Sequence, residues 1–324
     1  MTEVLVLGDG VEPSARSSHH SSVLPLTSIG PNANVRLQID AFRTKFFCEI
    51  PERLDDLLHI AAFVFSADSR IPRGSIKDVF AEKWSRHFSM LLPVKDLNFW
   101  NQKDVGRALT DVLNFLTGDE FSFEFVQRLP GEPHQGNLFF KDSTDSSNGG
   151  DVVIPFSGGS DSLAATLMAV RNGRHPVLVS HRAAPKIDRR QKDLVDQLKT
   201  LFAGWRFPHL SMWVNRIKGE RPTDFSQRSR SFLFTSMSVV AAAMLNIDEV
   251  WLCDNGIVSI NLPQSGQNLG TFLSRSTHPR YIALVQDLMQ YVTGRSGLCI
   301  SNQLLFQTRR EVLARIMHEE VEKC

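Results

Sequence analysis

The second half of this 324-residue chain alternates short apolar runs with stretches of helical periodicity. The order strand, helix, strand, helix is typical of a parallel sheet covered by helices. The predicted strands span 152–156, 177–180, 210–214 and 249–252, and the predicted helices span 163–171, 190–201 and 231–245. We therefore predict a doubly wound α/β domain with a mostly parallel sheet, in which ligands bind at the carboxyl ends of the strands.

The first half of the chain has a more mixed pattern. Short apolar or alternating runs predict strands, and two stretches with apolar residues on one face predict helices. The strands span 4–7, 35–39, 45–50, 84–94 and 121–127, and the helices span 52–66 and 103–117. This half is predicted to form an N-terminal α+β domain over residues 1–148, followed by the α/β domain over 149–324.

Two polar segments interrupt these patterns. Lys141–Asp151 is rich in Ser, Asp, Asn and Gly, so it is predicted to link the two domains. Val11–Ser22 is expected to be an exposed loop. His19 and His20 within it could bind a metal, but a histidine pair among serines, without carboxylates, is more typical of solvated surface.

Composition narrows the class of protein. The chain has 36 Lys and Arg residues against 35 Asp and Glu residues, so its net charge of +1 gives no general attraction to nucleic acid or anionic lipid. Its four cysteines include no CxxC pair, unlike those of a secreted disulfide scaffold. The sequence begins without a signal-peptide pattern, and no apolar run is long enough to span a bilayer. We expect a cytoplasmic protein that binds neither membranes nor nucleic acid.

The most informative motif directly follows the first strand of the second half. It reads Ser157-Gly158-Gly159-Ser160-Asp161-Ser162 and leads into a helix. The glycines let the backbone approach a ligand and the helix directs its free N–H groups to the same place, so the motif predicts a phosphate-binding loop. Asp161 suits such a loop if it holds a Mg²⁺ that bridges to the phosphates. The alternative is an ordinary capped helix start, since Ser and Asp are common N-cap residues.

This motif resembles the PP-loop of ATP pyrophosphatases, and all six of its residues match that loop position by position. It is not a Walker loop, because no Gly-Lys-Ser/Thr follows. The resemblance implies that Ser157–Ser162 bind ATP and Mg²⁺, and that His181, which ends the next strand, lies near the adenine, where its contact is either specific or nonspecific. It also implies a reaction in which a carboxylate or amide oxygen of the substrate attacks the α-phosphate and releases pyrophosphate.

Residues further along resemble the 7-cyano-7-deazaguanine synthase (QueC) family, and more closely the QueC-like proteins of anti-phage defence systems (QatC). The resemblance rests on Arg228–Phe234, which opens an apolar helix, on Asp254–Asn261 after the next strand, and on Ser276–Pro279. Softer similarity extends into the first half, for example at Arg73 and Gly74. Ser229 departs from the family, which has Asn at this position.

Several residues acquire candidate roles from this resemblance, each with an alternative. Arg228 and Arg230 neutralise the departing pyrophosphate, or they belong to a solvated basic loop. Asp254 holds Mg²⁺ or a ligand amine, or it merely starts a turn. His278 is an acid–base group, or a loop residue satisfied by backbone. The predicted catalytic residues are Asp161, Arg228 and Arg230, and the predicted substrate contacts are Asp254, Asn255, Gly256, Thr277 and His278.

The cysteines mark another departure from the family. QueC enzymes carry a C-terminal cysteine cluster that binds zinc, whereas this chain has four scattered cysteines, so no zinc is expected. Cys48 and Cys253 are predicted to be core residues. Either the protein lacks the zinc lobe, or the sequence stops where the lobe would begin.

Taken together, the resemblance implies an ATP-dependent C–N ligase that adenylates a 7-deazaguanine acid and transfers it to an amine. Its expected partners are ATP, the 7-deazaguanine compound and proteins of a defence operon. Two alternatives are a nucleotide-binding subunit of a defence complex without turnover and a queuosine-pathway 7-cyano-7-deazaguanine synthase.

Overall fold

Contacts between residues divide the chain into two compact units. The computed structural model describes residues 2–12, 22–39, 49–73, 85–128, 150–216, 226–260 and 275–321. The first unit comprises Met1–Leu37, Ile50–Asn137 and Val214–Leu233, and the second comprises Gln38–Glu49, Leu138–Trp213 and Phe234–Cys324. The predicted boundary at 148/149 lies outside the described residues. No single position in the sequence separates the two units, because the chain returns to the first unit at Val214–Leu233.

The first unit contains a four-stranded sheet in which all strands are parallel. Its order is β2-β1-β4-β5, and the strands are β1 (Thr2–Gly8), β2 (Ser22–Leu26), β4 (Arg86–Val94) and β5 (Glu120–Gln127). Val4 lies opposite Ser22 on one side and Phe88 on the other. The predicted α+β class was wrong for this sheet, because alternation indicates a strand but not the direction of its neighbour. β2 was missed because it is an edge strand that carries Pro25.

Both helices predicted in the first half are present. The helices of the first unit are α1 (Glu52–Arg70), α2 (Leu97–Trp100) and α3 (Lys103–Thr117). α1 runs four residues beyond its predicted end, and Ala67, Asp68 and Ser69 in this extension are buried. α3 ends at Gly118, whose φ of 72° gives the left-handed C-cap that favours glycine.

A short antiparallel pair of strands also belongs to the first unit. It consists of β3 (Val35–Leu37) and β9 (Val214–Arg216), and it pairs the returning segment with the N-terminal part of the chain. The strand predicted at 35–39 is therefore three residues long. Most of the strand predicted at 45–50 lies outside the described residues, as do His19 and His20.

Four charged side chains form a buried cluster in the first unit. Arg86 pairs with Asp68 and Asp119, and all three side chains are fully buried. Arg73 reaches the same two carboxylates, with two nitrogens each 2.6 Å from an oxygen of Asp119. Burial by itself raises the pKa of Asp68, but the charges of Arg86 and Arg73 outweigh it and hold that pKa below its usual value.

The second unit contains a five-stranded sheet that is also entirely parallel. Its order is β11-β10-β6-β7-β8, and the strands are β6 (Val152–Pro155), β7 (Pro176–His181), β8 (His209–Met212), β10 (Glu249–Leu252) and β11 (Cys299–Asn302). The four strands predicted for this half are confirmed, and so is the parallel α/β class. β11 was missed because it is an edge strand with a single buried apolar residue, Ile300.

Helices connect and follow these strands. They are α4 (Ser160–Arg171), α5 (Pro185–Leu201), α6 (Arg230–Met244), α7 (Gly256–Ser259), α8 (Pro279–Thr293) and α9 (Arg309–Val321). The apolar core of this unit includes Ile154 and Phe156 from the β6 region, Leu178 from β7 and Val195 from α5. None of the helices in the described ranges is long and apolar enough to cross a membrane.

Candidate functional site

The candidate site lies where the strand order of the second sheet changes direction. From β6 the chain passes through α4 to β7 on one side, and it later returns to the other side of β6 as β10. The loops that follow β6 and β10 therefore leave the sheet at the same edge and diverge. In open parallel sheets, such a switch point is where ligands bind.

The loop after β6 has the conformation expected of a phosphate-binding loop. Gly158 has a φ of +79°, which strains any other residue, and Gly159 is the N-cap of α4. The backbone N–H of Gly159 donates to Ser157 Oγ at 3.3 Å, and Ser162 Oγ donates to the Gly159 carbonyl at 3.0 Å. The helix starts at Ser160, three residues earlier than predicted. Its first N–H groups and positive dipole end are therefore available to an anion at this loop.

A buried glutamine from α5 supports this loop, and the sequence did not point to it. Gln191 is fully buried, and its Nε2 lies 3.3 Å from the carbonyl oxygens of Phe156 and Ser157. A Cβ at Gly158 would lie 3.2 Å from Cγ of Gln191. Glycine at this position is thus favoured by its backbone angle, and a Cβ there would also require the Gln191 side chain to shift by a few tenths of an ångström.

Asp161 connects the loop after β6 with the loop after β10. Its Oδ2 accepts hydrogen bonds from the backbone N–H of Asn255 at 3.0 Å and from the Asn255 side-chain amide at 2.9 Å. Its Oδ1 accepts from Ser160 Oγ at 3.0 Å. Asn255 also caps α7, accepting from the Val258 N–H. The orientation of the Asp161 carboxylate is therefore fixed from two sides.

A second carboxylate lies close enough to interact with Asp161. Asp254 accepts hydrogen bonds from Ser276 Oγ at 2.5 Å and Thr277 Oγ1 at 3.1 Å. Burial and the charge of Asp161 raise the pKa of Asp254, and the two hydroxyl donors only partly oppose this. Burial and the same two carboxylates raise the pKa of the neighbouring Cys253 thiol well above its usual value.

The residues present fit a magnesium ion at this place. Carboxylate and hydroxyl oxygens are the ligands that Mg²⁺ prefers, and a divalent cation would relieve the repulsion between Asp161 and Asp254. Oδ1 of Asp161 accepts one hydrogen bond and so keeps acceptor capacity. Groups of three or more His, Cys, Asp or Glu side chains suited to a metal are absent from the described part of the chain. Asp161 would therefore be the main protein ligand of such a cation, and a bound small molecule would have to supply further ligand oxygens.

A network of polar side chains holds the loop after β10. Ser259 Oγ donates to the Asp254 carbonyl at 3.0 Å and lies 2.8 Å from Thr277 Oγ1. Asn302 Nδ2, at the end of β11, donates to the same carbonyl and to Ser259 Oγ, each at 2.8 Å. Thr277 and Asp254 were both predicted to contact the substrate, whereas Ser259 was quoted only within the run Asp254–Asn261 and Asn302 was not predicted. Asn302 belongs to no local motif, because it lies 43 residues beyond Ser259.

The two predicted histidines occupy different environments. His181 ends β7 and is buried, and its ring makes an edge contact with Phe234 at 5.8 Å between centroids. His278 is the N-cap of α8, where its Nδ1 accepts from the Arg280 N–H at 3.1 Å. Burial and the charges of Arg275 and Arg280 lower the pKa of His278. His278 therefore has a structural contact of the kind that the alternative interpretation expected.

Arg228 and Arg230 belong to the first unit, whereas the loop Ser157–Ser162 belongs to the second. Arg228 donates to the Thr117 carbonyl at 2.9 Å. Between the two arginines, Ser229 donates to Asp68 from its backbone N–H at 2.9 Å and from its hydroxyl at 2.7 Å. Burial lowers the pKa of Arg230. The segment thus has structural contacts within the first unit, including one to the buried charge cluster.

Comparisons with known proteins add little to this geometry. No protein-family model and no curated protein matches the chain. Among solved structures, the chain is similar to a glycosyltransferase from Rickettsia africae ESF-5, with 10% sequence identity over 98% of each chain and a TM-score of 0.24. A TM-score this low does not indicate a shared fold, so this similarity carries no argument.

Proposed function

We propose that this protein is an ATP-dependent C–N ligase that adenylates a 7-deazaguanine carboxylate and transfers it to an amine. The observation that carries the proposal is the loop Ser157–Ser162 at a switch point of a parallel sheet, with Asp161 held by Asn255. The match of this loop to the PP-loop motif supports ATP as the nucleotide. The QueC-like residues after β10 support the substrate class.

In this proposal the loop residues bind and orient the phosphates of ATP. The first N–H groups of α4 and the hydroxyls of Ser157 and Ser160 donate to phosphate oxygens, and Gly158 lets the backbone approach them. Asp161 would hold Mg²⁺ together with ATP, and the ion would neutralise phosphate charge. The carboxylate oxygen of the substrate attacks the α-phosphorus, and pyrophosphate leaves. The amine then attacks the adenylated carbonyl carbon and loses one proton, and AMP leaves as an amide forms.

The loop after β10 is proposed to hold the substrate. Hydrogen bonds such as that from Asn302 to the Asp254 carbonyl fix the position of this loop. The pKa of Asp254 is raised, which suits its side chain to hydrogen bonding with a substrate. In a defence system the acceptor is a protein amine, and in the queuosine pathway it is ammonia. Cytoplasmic localisation and partner proteins of a defence operon form part of the same proposal.

The test uses α-labelled ATP with 7-carboxy-7-deazaguanine and the full chain, with and without an amine. The wild-type protein should form AMP, and Asp161→Ala should abolish this. Asp161→Asn, which keeps an acceptor for Asn255 but removes the charge, should also abolish AMP formation while leaving the fold intact. Asp193→Ala, at an exposed position of α5, is the matched control and should behave as wild type. Failure of the wild-type protein to form AMP while it still binds nucleotide would sink the proposal.

A second candidate function is a nucleotide-binding subunit of a defence complex without turnover. It shares with the first the binding of ATP at the loop Ser157–Ser162 and differs only in the lack of turnover. Phage protection by the Asp161→Ala variant separates the two functions. A subunit that acts only as a scaffold keeps protection, whereas an enzyme loses it.

A further inference from the structure

Two arginines and a histidine lie together beside the proposed substrate loop. Arg275 and His278 belong to the turn before α8, and Arg280 belongs to the first turn of that helix. Between Asp254 and Asp287 the sequence has no Asp or Glu, and these two arginines are its only Lys or Arg residues. This part of the chain therefore carries a local positive charge, although the net charge of the whole protein is only +1.

The turn before α8 is attached to the loop after β10. Ser276 Oγ and Thr277 Oγ1 donate to the carboxylate of Asp254, at 2.5 Å and 3.1 Å. The His278 N–H donates to the Arg275 carbonyl at 3.3 Å, which closes the turn. The backbone of Arg275 is therefore held next to a group that is proposed to bind the substrate.

Side chains, rather than the end of the helix, supply the hydrogen-bond donors at this place. Pro279 has no N–H, and the Arg280 N–H already donates to His278 Nδ1 at 3.1 Å. Because Nδ1 accepts this bond, a neutral His278 ring carries its proton on Nε2, which is then a donor. Arg275 and Arg280 each add a planar guanidinium that can pair with two oxygens of one anion.

The three side chains are close enough to act on one another electrostatically. Burial lowers the pKa of His278, and the charges of Arg275 and Arg280 lower it further. Burial and the charge of Arg280 likewise lower the pKa of Arg275. The pKa of Asp254 responds instead to burial, to two hydroxyl donors and to Asp161. The two arginine charges repel each other, and an anion placed between them would relieve that repulsion.

The exposure of these side chains suits a ligand that enters from solvent. Arg280 is exposed, whereas Arg275 and His278 are half-buried. Partial burial strengthens the interaction of an ion with these groups, because less water screens it. Two guanidinium charges match the charge of a phosphoryl group, which approaches −2 at neutral pH, whereas a carboxylate matches only one of them.

We infer that Arg275, His278 and Arg280 form a binding site for a phosphoryl group, separate from the loop Ser157–Ser162. The guanidiniums pair with phosphoryl oxygens, and His278 Nε2 donates a further hydrogen bond. The phosphoryl group belongs either to ATP or to a phosphorylated acceptor that meets the substrate loop. The inference rests on the proposed function for this source only, because binding of phosphate at the site requires no turnover.

The experiment titrates the full chain with inorganic phosphate at constant pH and ionic strength. The His278 ring is followed by NMR, and His278→Gln identifies its signal. Arg275→Gln and Arg280→Gln should each raise the dissociation constant about tenfold, because each removes charge-assisted hydrogen bonds. Arg280→Lys should restore only part of the affinity, since it keeps the charge but not the planar fork. Arg206→Gln, at an exposed position before β8, is the matched control and should leave the dissociation constant unchanged.

Further arms of the titration test the fold, the place and the class of the ligand. Thermal unfolding of Arg280→Gln should match wild type, because the side chain is exposed. Gly158→Ala, which alters the loop after β6, should leave the phosphate titration of His278 unchanged. An unchanged dissociation constant for Arg280→Gln overturns the inference, and so does an equal weakening by Gly158→Ala. Acetate that binds as tightly as phosphate also overturns it, because a monoanion would then suffice.

The affinity of Arg280→Gln for ATP distinguishes the two sources of the phosphoryl group. A dissociation constant for ATP that rises with that for phosphate identifies ATP as the ligand. An unchanged dissociation constant for ATP identifies a separate phosphorylated molecule. Phosphate binding at His278 in a protein that forms no AMP counts against the ligase proposal and leaves this inference standing.

Discussion

Asn255 donates two hydrogen bonds, one from its backbone N–H and one from its side-chain amide, to the same carboxylate oxygen of Asp161. The two residues are 94 positions apart in the sequence and follow neighbouring strands, β10 and β6. These bonds join the proposed phosphate-binding loop to the proposed substrate loop. The geometry of each loop therefore depends on the other.

The first prediction concerns this connection. Asn255→Asp keeps a good N-cap for α7 but loses the amide donor and adds a further carboxylate beside Asp161 and Asp254. The free energy of unfolding should fall by about 1–3 kcal/mol, the usual effect of losing a hydrogen bond to an enclosed charged group. ATP affinity should fall at least tenfold, and chemical unfolding and calorimetry measure the two effects. Asn172→Asp, at an exposed position after α4, is the control, and equal behaviour of the two variants would contradict the prediction.

The second prediction separates the two reasons for glycine at position 158. Gly158 and Gly173 have similar positive φ angles, +79° and +71°, but nothing lies within 4 Å of a Cβ at Gly173. Gly173→Ala should lower the free energy of unfolding by about 1–2 kcal/mol, from backbone strain alone. Gly158→Ala should lower the free energy of unfolding by more than Gly173→Ala does, because its Cβ would lie 3.2 Å from Cγ of Gln191. It should also weaken ATP binding. Urea unfolding of both variants gives the comparison, and equal losses with unchanged ATP affinity would show that Gln191 does not constrain the loop.

The third prediction concerns the buried charge cluster of the first unit. Asp119→Asn leaves Arg86 and Arg73 with one carboxylate fewer in an enclosed place. Removing one partner of a buried ion pair typically lowers the free energy of unfolding by about 3–5 kcal/mol. Asp111→Asn is the matched control, because Asp111 pairs with Arg107 on an exposed face of α3 and should cost no more than about 0.5 kcal/mol. Urea unfolding at neutral pH distinguishes them, and a small effect of Asp119→Asn would mean that the cluster relaxes or admits water.

The fourth prediction is a pH dependence due to Asp254. Its pKa is raised in the folded state, mainly by burial and also by the charge of Asp161. The protonated form therefore stabilises the fold below the unfolded pKa of about 3.8, and this contribution is lost as the pH rises through the folded pKa. Asp254→Asn keeps an acceptor for Ser276 and Thr277 but cannot ionise. Its free energy of unfolding relative to wild type should thus increase as the pH rises, by about 1.4 kcal/mol for each unit of pKa elevation.

Unfolding curves collected from pH 3.5 to 8 test this difference. Subtracting wild type from the variant cancels the titration of the other carboxylates, including Asp68, whose lowered pKa acts in the opposite direction. Asp193→Asn, at an exposed position, should show no such trend. If the difference in free energy of unfolding between Asp254→Asn and wild type did not change with pH, the raised pKa of Asp254 would be contradicted.

Local periodicity predicted much of the fold, because helices and buried strands have patterns that a short window contains. The four strands predicted in the second half and the helices at 52–66 and 103–117 follow from such patterns. The direction of strands in the first sheet does not, since alternation in β5 is the same beside a parallel or an antiparallel neighbour. The edge strand β2 was missed because it carries Pro25, and the edge strand β11 was missed because Ile300 is its single buried apolar residue.

The loop Ser157–Ser162 could be recognised from sequence because its chemistry is local: two glycines, hydroxyls and a helix start occupy six consecutive positions. The loop after β10 was also noticed from adjacent residues. Gln191 and Asn302 were not, because they reach these loops from different elements and no spacing along the chain reveals that. Ser259 was quoted with the loop, but its hydrogen bond to the Asp254 carbonyl was not predicted. Likewise, only contacts within the first unit revealed that Ser229 donates to Asp68.

The sequence by itself determined four of the five strands of the second sheet and the residues of the loop between β6 and α4, because hydrophobic periodicity and backbone freedom are properties of neighbouring residues. Tertiary structure alone decided that Asp161 is held by Asn255 and that the Gly256 N–H donates to the Gln307 carbonyl. These contacts depend on the order of strands across the sheet. That order is set by how the whole chain buries its apolar surface, and residues far apart in sequence meet only once it is established.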